Sequence, residues 1–295
     1  MRSVLRPRLR VALLLSLMDH AYSHDKGRAG LKHLIMTDLE GPAGVERFSQ
    51  TYDGEPFKLP AMRLLTLEVN ACIEGILDAD PAAEIAVFDG HGAGGILRDL
   101  LDGRARYVRE RADRDEVWRR LGEFSTYLYV GQHAFACMPN APLCHTGSSK
   151  HVVYKRFNGV FIGEFGEGAL LAGHHDVPLI FLSGDDKAVF EAQGLIPGIY
   201  TVTTKWGVGW QKARHLEPEE ARRRIRAGAR EAVLGRSRIA PLKVEPPYTY
   251  EVRYIHPRTS FRTDIPGVKT TVLDPRTVLY RFDDMARFRT IAYGA

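Results

Sequence analysis

The stretch that opens with Leu34-Ile35-Met36-Thr37-Asp38-Leu39-Glu40-Gly41 and closes with Glu84-Ile85-Ala86-Val87-Phe88-Asp89-Gly90-His91-Gly92 contains a complete strand–helix–strand unit. Leu34 to Met36 is a short apolar run that stops at Thr37-Asp38, as a strand buried on both faces does. From Pro60 to Leu77, the residues Met62, Leu65, Val69, Cys72, Ile73 and Ile76 recur at helical spacing, and Pro60 is tolerated in a first turn. Glu84 to Phe88 is a second apolar strand, closed by a glycine-rich turn. This alternation predicts an α/β fold: a mainly parallel sheet flanked by helices in a three-layer sandwich.

The same pattern extends outward. Tyr127 to Val130 ends in Gly131-Gln132-His133, and Val177 to Leu182 ends in Ser183-Gly184-Asp185-Asp186. Val152 to Ile162 reads as a hairpin turning at Asn158-Gly159. A helix is expected from Glu217 to Leu234, with Ala221, Ile225, Ala229 and Val233 on its apolar face; the arginines from Arg222 to Arg230 form its solvated side. Thr249 to Ile255, Lys269 to Leu273 and Thr277 to Phe282 read as late strands. With no internal repeat and no linker, a smaller α/β subdomain is expected to arise by insertion.

The chain has 295 residues, 44% hydrophobic and 26% charged, which is the composition of a globular protein with a sizeable core. Its formal charge of +5 is located in a leader: seven basic and two acidic residues lie in the first 32 positions, and the remainder carries 34 of each sign. The body therefore has no clustered basic charge of the kind that nucleic acid requires, and nucleic-acid binding is not expected. Residues 1–30 form a basic leader in which the run Val11 to Met18 precedes Ala21-Tyr22-Ser23, a weak export signal. Residues 31–295 form the expected folded domain, which the family resemblance below implies is catalytic. The expected location is cytoplasmic, with export as the alternative if residues 1–23 act as a signal peptide. No run approaches the ~20 apolar residues of a spanning helix, so the protein is not expected to be integral to a membrane.

Ligand-type side chains collect just after the strands: Asp38 and Glu40 after the first, His91 after the second, His133 after Tyr127–Val130, and Glu164 in Gly163-Glu164-Phe165-Gly166. In open parallel sheets the carboxyl ends of strands converge on one rim, where ligand sites form. Two imidazoles and three carboxylates suit Zn²⁺, Mn²⁺ or Co²⁺ and are too oxygen-poor to prefer Ca²⁺. Five ligands suit two metals that share a carboxylate and act jointly on hydrolytic water. Singly, each residue also has an ordinary role, as a helix cap or a hydrogen-bonded core histidine.

Rival readings are weaker. Gly90-His91-Gly92-Ala93-Gly94-Gly95 fits neither phosphate-loop register. Cys72, Cys137 and Cys144 offer neither a disulfide framework nor a thiolate zinc site, and Cys144-His145 is a poor nucleophile–base pair because adjacent residues seldom face one substrate. A phosphoesterase would be favoured by basic residues near the rim, and only Lys150 lies beside these segments in sequence. A binding module that uses the rim without metal would leave five convergent ligands unexplained.

Taken in series, the segments Asp38-Leu39-Glu40-Gly41, Asp89-Gly90-His91, Gly131-Gln132-His133-Ala134, Cys144-His145-Thr146, Val160-Phe161-Ile162-Gly163-Glu164-Phe165-Gly166, Ala172-Gly173-His174-His175-Asp176-Val177-Pro178 and Ser183-Gly184-Asp185-Asp186 resemble the DppA-like zinc D-aminopeptidases, in that family's order from about Leu31 to Ala292. The resemblance implies a di-zinc aminopeptidase acting on short peptides with an N-terminal D-amino acid, such as D-Ala-D-Ala; the alternative is a metal-dependent hydrolase of another amide or a phosphoester. It implies that Asp38 bridges two Zn²⁺ per chain, with Glu40 and His91 at one and His133 and Glu164 at the other. His145 matches a catalytic histidine that is not a ligand, and the assembly implied is a homodecamer. Two features depart from the family: the leader, and Gly168, which stands where an asparagine is usual and so bears on substrate choice.

Overall fold

The computed structural model describes residues 30–293, so the basic leader and its export signal lie outside the described residues. The main sheet has seven strands in the order β3-β2-β1-β4-β7-β8-β9, where β1 is Lys32–Thr37, β2 Glu84–Asp89, β3 Ala105–Val108, β4 Thr126–Gln132, β7 Leu179–Asp185, β8 Tyr200–Gly209 and β9 Lys212–His215. All neighbours pair in parallel except β8 and β9. β1 is buried from His33 onward, as a central strand covered on both faces must be.

Helix α1 (Lys58–Ala79) joins β1 to β2 and buries Leu65, Val69, Cys72, Ile73 and Ile76, the stripe read from the sequence. α2 (Arg111–Arg119) follows β3, α3 (Glu164–His174) precedes β7, α4 (Asp186–Leu195) joins β7 to β8, and α5 (Pro218–Gly235) follows β9. α1 packs on α5 and α3 on α4. Because β1–α1–β2 runs one way across the sheet and β7–α4–β8 the other, right-handed crossovers put the two pairs on opposite faces. Strand order thus reverses at β1 and β4, and a crevice opens at their carboxyl ends.

A second, five-stranded antiparallel sheet has the order β11-β12-β10-β5-β6. Its β5 (Val152–Phe157) and β6 (Val160–Phe161) are the expected hairpin, turning at Asn158 and Gly159 with φ of 47° and 81°. Its β10 (Tyr248–Tyr254), β11 (Lys269–Asp274) and β12 (Thr277–Phe282) come after the main sheet is finished. The smaller unit is therefore inserted only in its hairpin, and the chain's last strands complete it. The short α6 (Phe288–Tyr293) seats Phe288 among Phe157, Tyr250 and Phe282. No helix among the described residues is long and apolar enough to cross a membrane.

His33, at the start of β1, is fully buried with Nδ1 2.7 Å from Thr126 Oγ1 and Nε2 without a partner. Burial lowers its pKa to about 4, against 6.5 when free. The folded chain therefore holds fewer protons than the unfolded one between those values. The stability this confers is complete above pH 6.5 and is lost as pH falls toward 4, by about 3 kcal/mol over the 2.5-unit gap. Chemical denaturation of wild type and His33→Gln at pH 7 and pH 4.5 should show the variant losing less stability on acidification; equal losses would remove His33 from the account.

Candidate functional site

The crevice at the β1/β4 switch point is floored by the residues just beyond these strands. The segment after β1 turns beneath β4 through backbone bonds from Asp38 N to Val130 O (3.0 Å) and from Gly41 N to Gly131 O (2.7 Å). Gly41 is required by this approach, since a Cβ there would lie 2.2 Å from the carbonyl carbon of Gly131. The carbonyl of Glu40 accepts from the fully buried Lys205 ammonium, which also donates to Val45 O, and Thr204 Oγ1 donates to Gly41 O (2.7 Å). β8 therefore clamps the Asp38–Gly41 turn from below.

Six candidates converge on this floor. Asp38 turns its two oxygens toward different histidines: Oδ1 lies 3.3 Å from His91 Nδ1 and Oδ2 3.1 Å from His133 Nε2. Glu40 Oε2 lies 3.1 Å from His91 Nδ1. Glu164, the first residue of α3, has Oε1 3.7 Å from His133 Nε2 and 3.8 Å from His145 Nε2, and accepts from Gly147 N (2.7 Å). His145 stacks on His133 with ring centres 4.0 Å apart. Donor atoms of Asp38, Glu40 and His133, and separately of His133, His145 and Glu164, fall within 4.8 Å of one another.

The far nitrogen of each histidine is engaged. His91 Nε2 meets Thr51 O at 3.0 Å, His133 Nδ1 meets Ala134 O at 2.8 Å, and His145 Nδ1 meets Leu143 O at 2.8 Å. A carbonyl only accepts, so these nitrogens carry the protons and the others turn lone pairs toward carboxylates. Lone pairs facing anions need a positive charge between them, either a proton or a cation. Consistent with this, the buried Glu40 Oε2 and His133 Nε2 have no partner in hydrogen-bond geometry, although anionic and imidazole groups surround them.

The electrostatics express the same demand. Burial would lower His91, but the Glu40 and Asp38 carboxylates outweigh it and raise the imidazole to about 11. His133 is likewise raised against burial, by Asp38 and Glu164. Burial and the charge of Glu40 raise Asp38, whereas His91 holds Glu40 well below the usual carboxylate range despite burial. Glu164, which burial would raise, is held at about 2 by the neighbouring His133 imidazole and by the charge of His145.

The rival readings have structural answers. The glycine-rich loop after β2 wraps a side chain of its own: Asp89 accepts from Gly95 N (2.9 Å), Ile96 N (3.4 Å) and Tyr107 Oη (2.9 Å), which leaves those amides unavailable to a phosphate. Burial pushes the Cys144 thiol up, the opposite of what an attacking thiolate needs.

Above the floor lies a cavity of about 1190 Å³. Gly168 explains itself here: a Cβ would lie 2.0 Å from Tyr129 Oη, so a tyrosine hydroxyl occupies the room that a side chain at this position would need. Deeper in the wall, the buried Glu167 pairs with Lys155 at 2.9 Å and accepts from Tyr250 Oη. Lys150 lines the cavity as expected from the sequence, but so do Arg109 and Arg114, delivered by the β3–α2 segment that the sequence reading did not resolve. The expectation that Lys150 alone among lysines and arginines stands near the rim is thereby corrected; sequence adjacency to the ligand segments was the wrong measure of nearness.

The D-aminopeptidase family of peptidases matches residues 31–292. A D-aminopeptidase of Bacillus subtilis (strain 168) is 26% identical over 220 residues, covering 72% of this chain and 77% of its own. Among solved structures, the Zn-dependent D-aminopeptidase DppA from Bacillus subtilis, described as a self-compartmentalizing protease, superposes with a TM-score of 0.78 at 22% identity, covering 90% of this chain and 99% of that one. By the extent of the family match, this chain belongs to the D-aminopeptidase family.

Proposed function

We propose that the chain is a zinc-dependent aminopeptidase that removes an N-terminal D-amino acid from short peptides such as D-Ala-D-Ala. One observation carries this reading beyond family membership: at the switch point, imidazoles tethered through their far nitrogens aim lone pairs at a shared carboxylate floor. Asp38, Glu40, His91, His133 and Glu164 would hold the metal, and the two-sided placement of Asp38 supports two Zn²⁺ per chain with that residue between them. Bound there, zinc supplies Lewis acidity, lowering the pKa of water and polarising the scissile carbonyl.

The chain's own residues do the rest. Thr51 O and Ala134 O fix the tautomers of His91 and His133, and Lys205 holds the Glu40 turn in place. His145, its Nδ1 tied to Leu143 O, keeps Nε2 available at the cavity floor to move a proton to the leaving amine or to stabilise the oxyanion. Arg109 and Arg114 favour one rival, a phosphoesterase, and turnover of p-nitrophenyl phosphate in preference to D-alanyl peptides would establish that reading instead.

Three outcomes test the proposal. Asp38→Ala should lose both metals, as read by elemental analysis of the purified protein; normal stoichiometry would rule out a bridging role. His145→Ala should keep its zinc and lower kcat for D-Ala-D-Ala by about 10²–10⁴-fold with little change in KM; loss of zinc would make His145 a ligand. The self-compartmentalizing relative and the family resemblance support a homodecamer, so light scattering should give a mass ten times the 33.1 kDa of one chain, and a monomer mass would refute the assembly.

A further inference from the structure

Arg114 stands on the cavity-facing side of α2 with its guanidinium carbon 4.9 Å above the ring of Phe88. Its side chain has neither a hydrogen bond nor an ion pair with any described residue. The acids near enough to feel its charge are Asp89 and Asp115, and both are committed elsewhere. Asp89 accepts from Gly95 N and Tyr107 Oη, and Asp115 pairs with Arg289 at 2.8 Å. The cation whose charge acts on it is Arg109, which donates to His91 O (2.7 Å) and Gly92 O (2.9 Å) beside the carboxylate floor. Two guanidinium groups thus share one stretch of wall, and neither forms an ion pair with a described residue; Asp89, whose own partners are neutral N–H and O–H donors, and Asp115 act on Arg114 only through space. Like charges held together and partly buried are unfavourable unless an anion completes them, and a planar guanidinium matches a carboxylate through paired N–H bonds.

We propose that Arg114, supported by Arg109, binds the C-terminal carboxylate of the substrate peptide and so makes the enzyme selective for short peptides with a free C-terminus. The proposal rests on the aminopeptidase reading above, which supplies the peptide. Arg114 acts as a specificity residue and has no part in bond cleavage. The β3–α2 segment then has a function: it carries positive charge to the cavity wall beside His91.

The test measures binding separately from turnover. The ligands are a D-Ala-D-Ala analogue in which a methylene replaces the peptide carbonyl, and the same compound with its C-terminus amidated, titrated by calorimetry into zinc-loaded wild type, Arg114→Met and Arg114→Lys. Wild type should bind the acid about 10- to 100-fold more tightly than the amide, the range for a charged hydrogen-bonded pair. Arg114→Met should lose that margin on the acid and leave the amide unchanged, and Arg114→Lys should recover part of it. Equal affinities for acid and amide in wild type, or equal losses on both ligands in Arg114→Met, would overturn the proposal. In parallel, D-alanine release from D-Ala-D-Ala by wild type bears on the activity alone: no release, with the acid-over-amide margin intact, would refute the peptidase reading and leave the carboxylate site standing.

Discussion

The constraint on which this molecule turns is the accumulation of buried negative charge at one point of the sheet. Asp38, Glu40 and Glu164 meet where β1 and β4 end, and Glu68, Asp185 and Glu191 lie buried around them. Carboxylates removed from water persist as anions only when cations or donors complete them. Two devices do so here. The Lys205 ammonium lies beneath the floor, where burial lowers its pKa to about 8 against the pull of Asp185 and Glu68, and the imidazoles lie above it. Burial also raises Glu68 to about 8 and Glu191 to about 7, whereas the imidazoles hold Glu40 and Glu164 below the usual carboxylate range.

Glu191 shows how the second ring serves the first. Its Oε1 accepts from Gly163 N at 2.6 Å, which fixes the turn that places Glu164 at the start of α3. Gly163 and Gly166 are both closed to side chains by this carboxylate, whose oxygens would lie 2.8 and 3.0 Å from an added Cβ. The glycines on either side of Glu164 are therefore the space that a buried acid on α4 requires. On the other wall, Asp185 joins the loop after β4 to α4: it accepts from Ala134 N (2.9 Å) while capping the helix through Lys187 N and Ala188 N. The residue after His133 is thus held by a helix cap, and the imidazole inherits the rigidity of that cap.

Most of the floor was legible in sequence because each of its parts ends an apolar run. Strands buried on both faces stand out as β1, β2, β4 and β7 do, and a parallel sheet brings their ends together, so Asp38, Glu40, His91 and His133 could be placed on one rim before any coordinates. The four-residue apolar spacing of α5 and the Asn158-Gly159 turn were equally plain. β3, β8, β9, α2 and α4 were not. β3 is four residues long, ARYV with charge on one face, and α2 is mostly charged with Val117 its one buried side chain. β8 carries Thr204 and Lys205 toward the interior, and a fully buried lysine contradicts the hydrophobic signal that strand detection relies on. These segments form the edges and the walls of the cavity, so the sequence exposed the chemistry of the floor and concealed what surrounds it.

That division bears on selectivity. A cavity of about 1190 Å³ exceeds what a dipeptide fills, so its volume alone does not choose short substrates. Its charge is uneven, however. Acids gather at the ends of β1 and β4, and on the wall that β3 and α2 supply, where Asp115 pairs with Arg289, the guanidinium of Arg114 stands unpaired with Arg109. A zwitterionic peptide in such a field lowers its energy most with its ammonium toward the acids and its carboxylate toward the arginines, and the reversed orientation sets like charges together. Blocking either end removes one half of that preference. Recognition on this account comes from where the charges sit, and the fold sets that by ending β1 and β4 in acids and bringing Arg109 and Arg114 in from the β3 edge of the sheet.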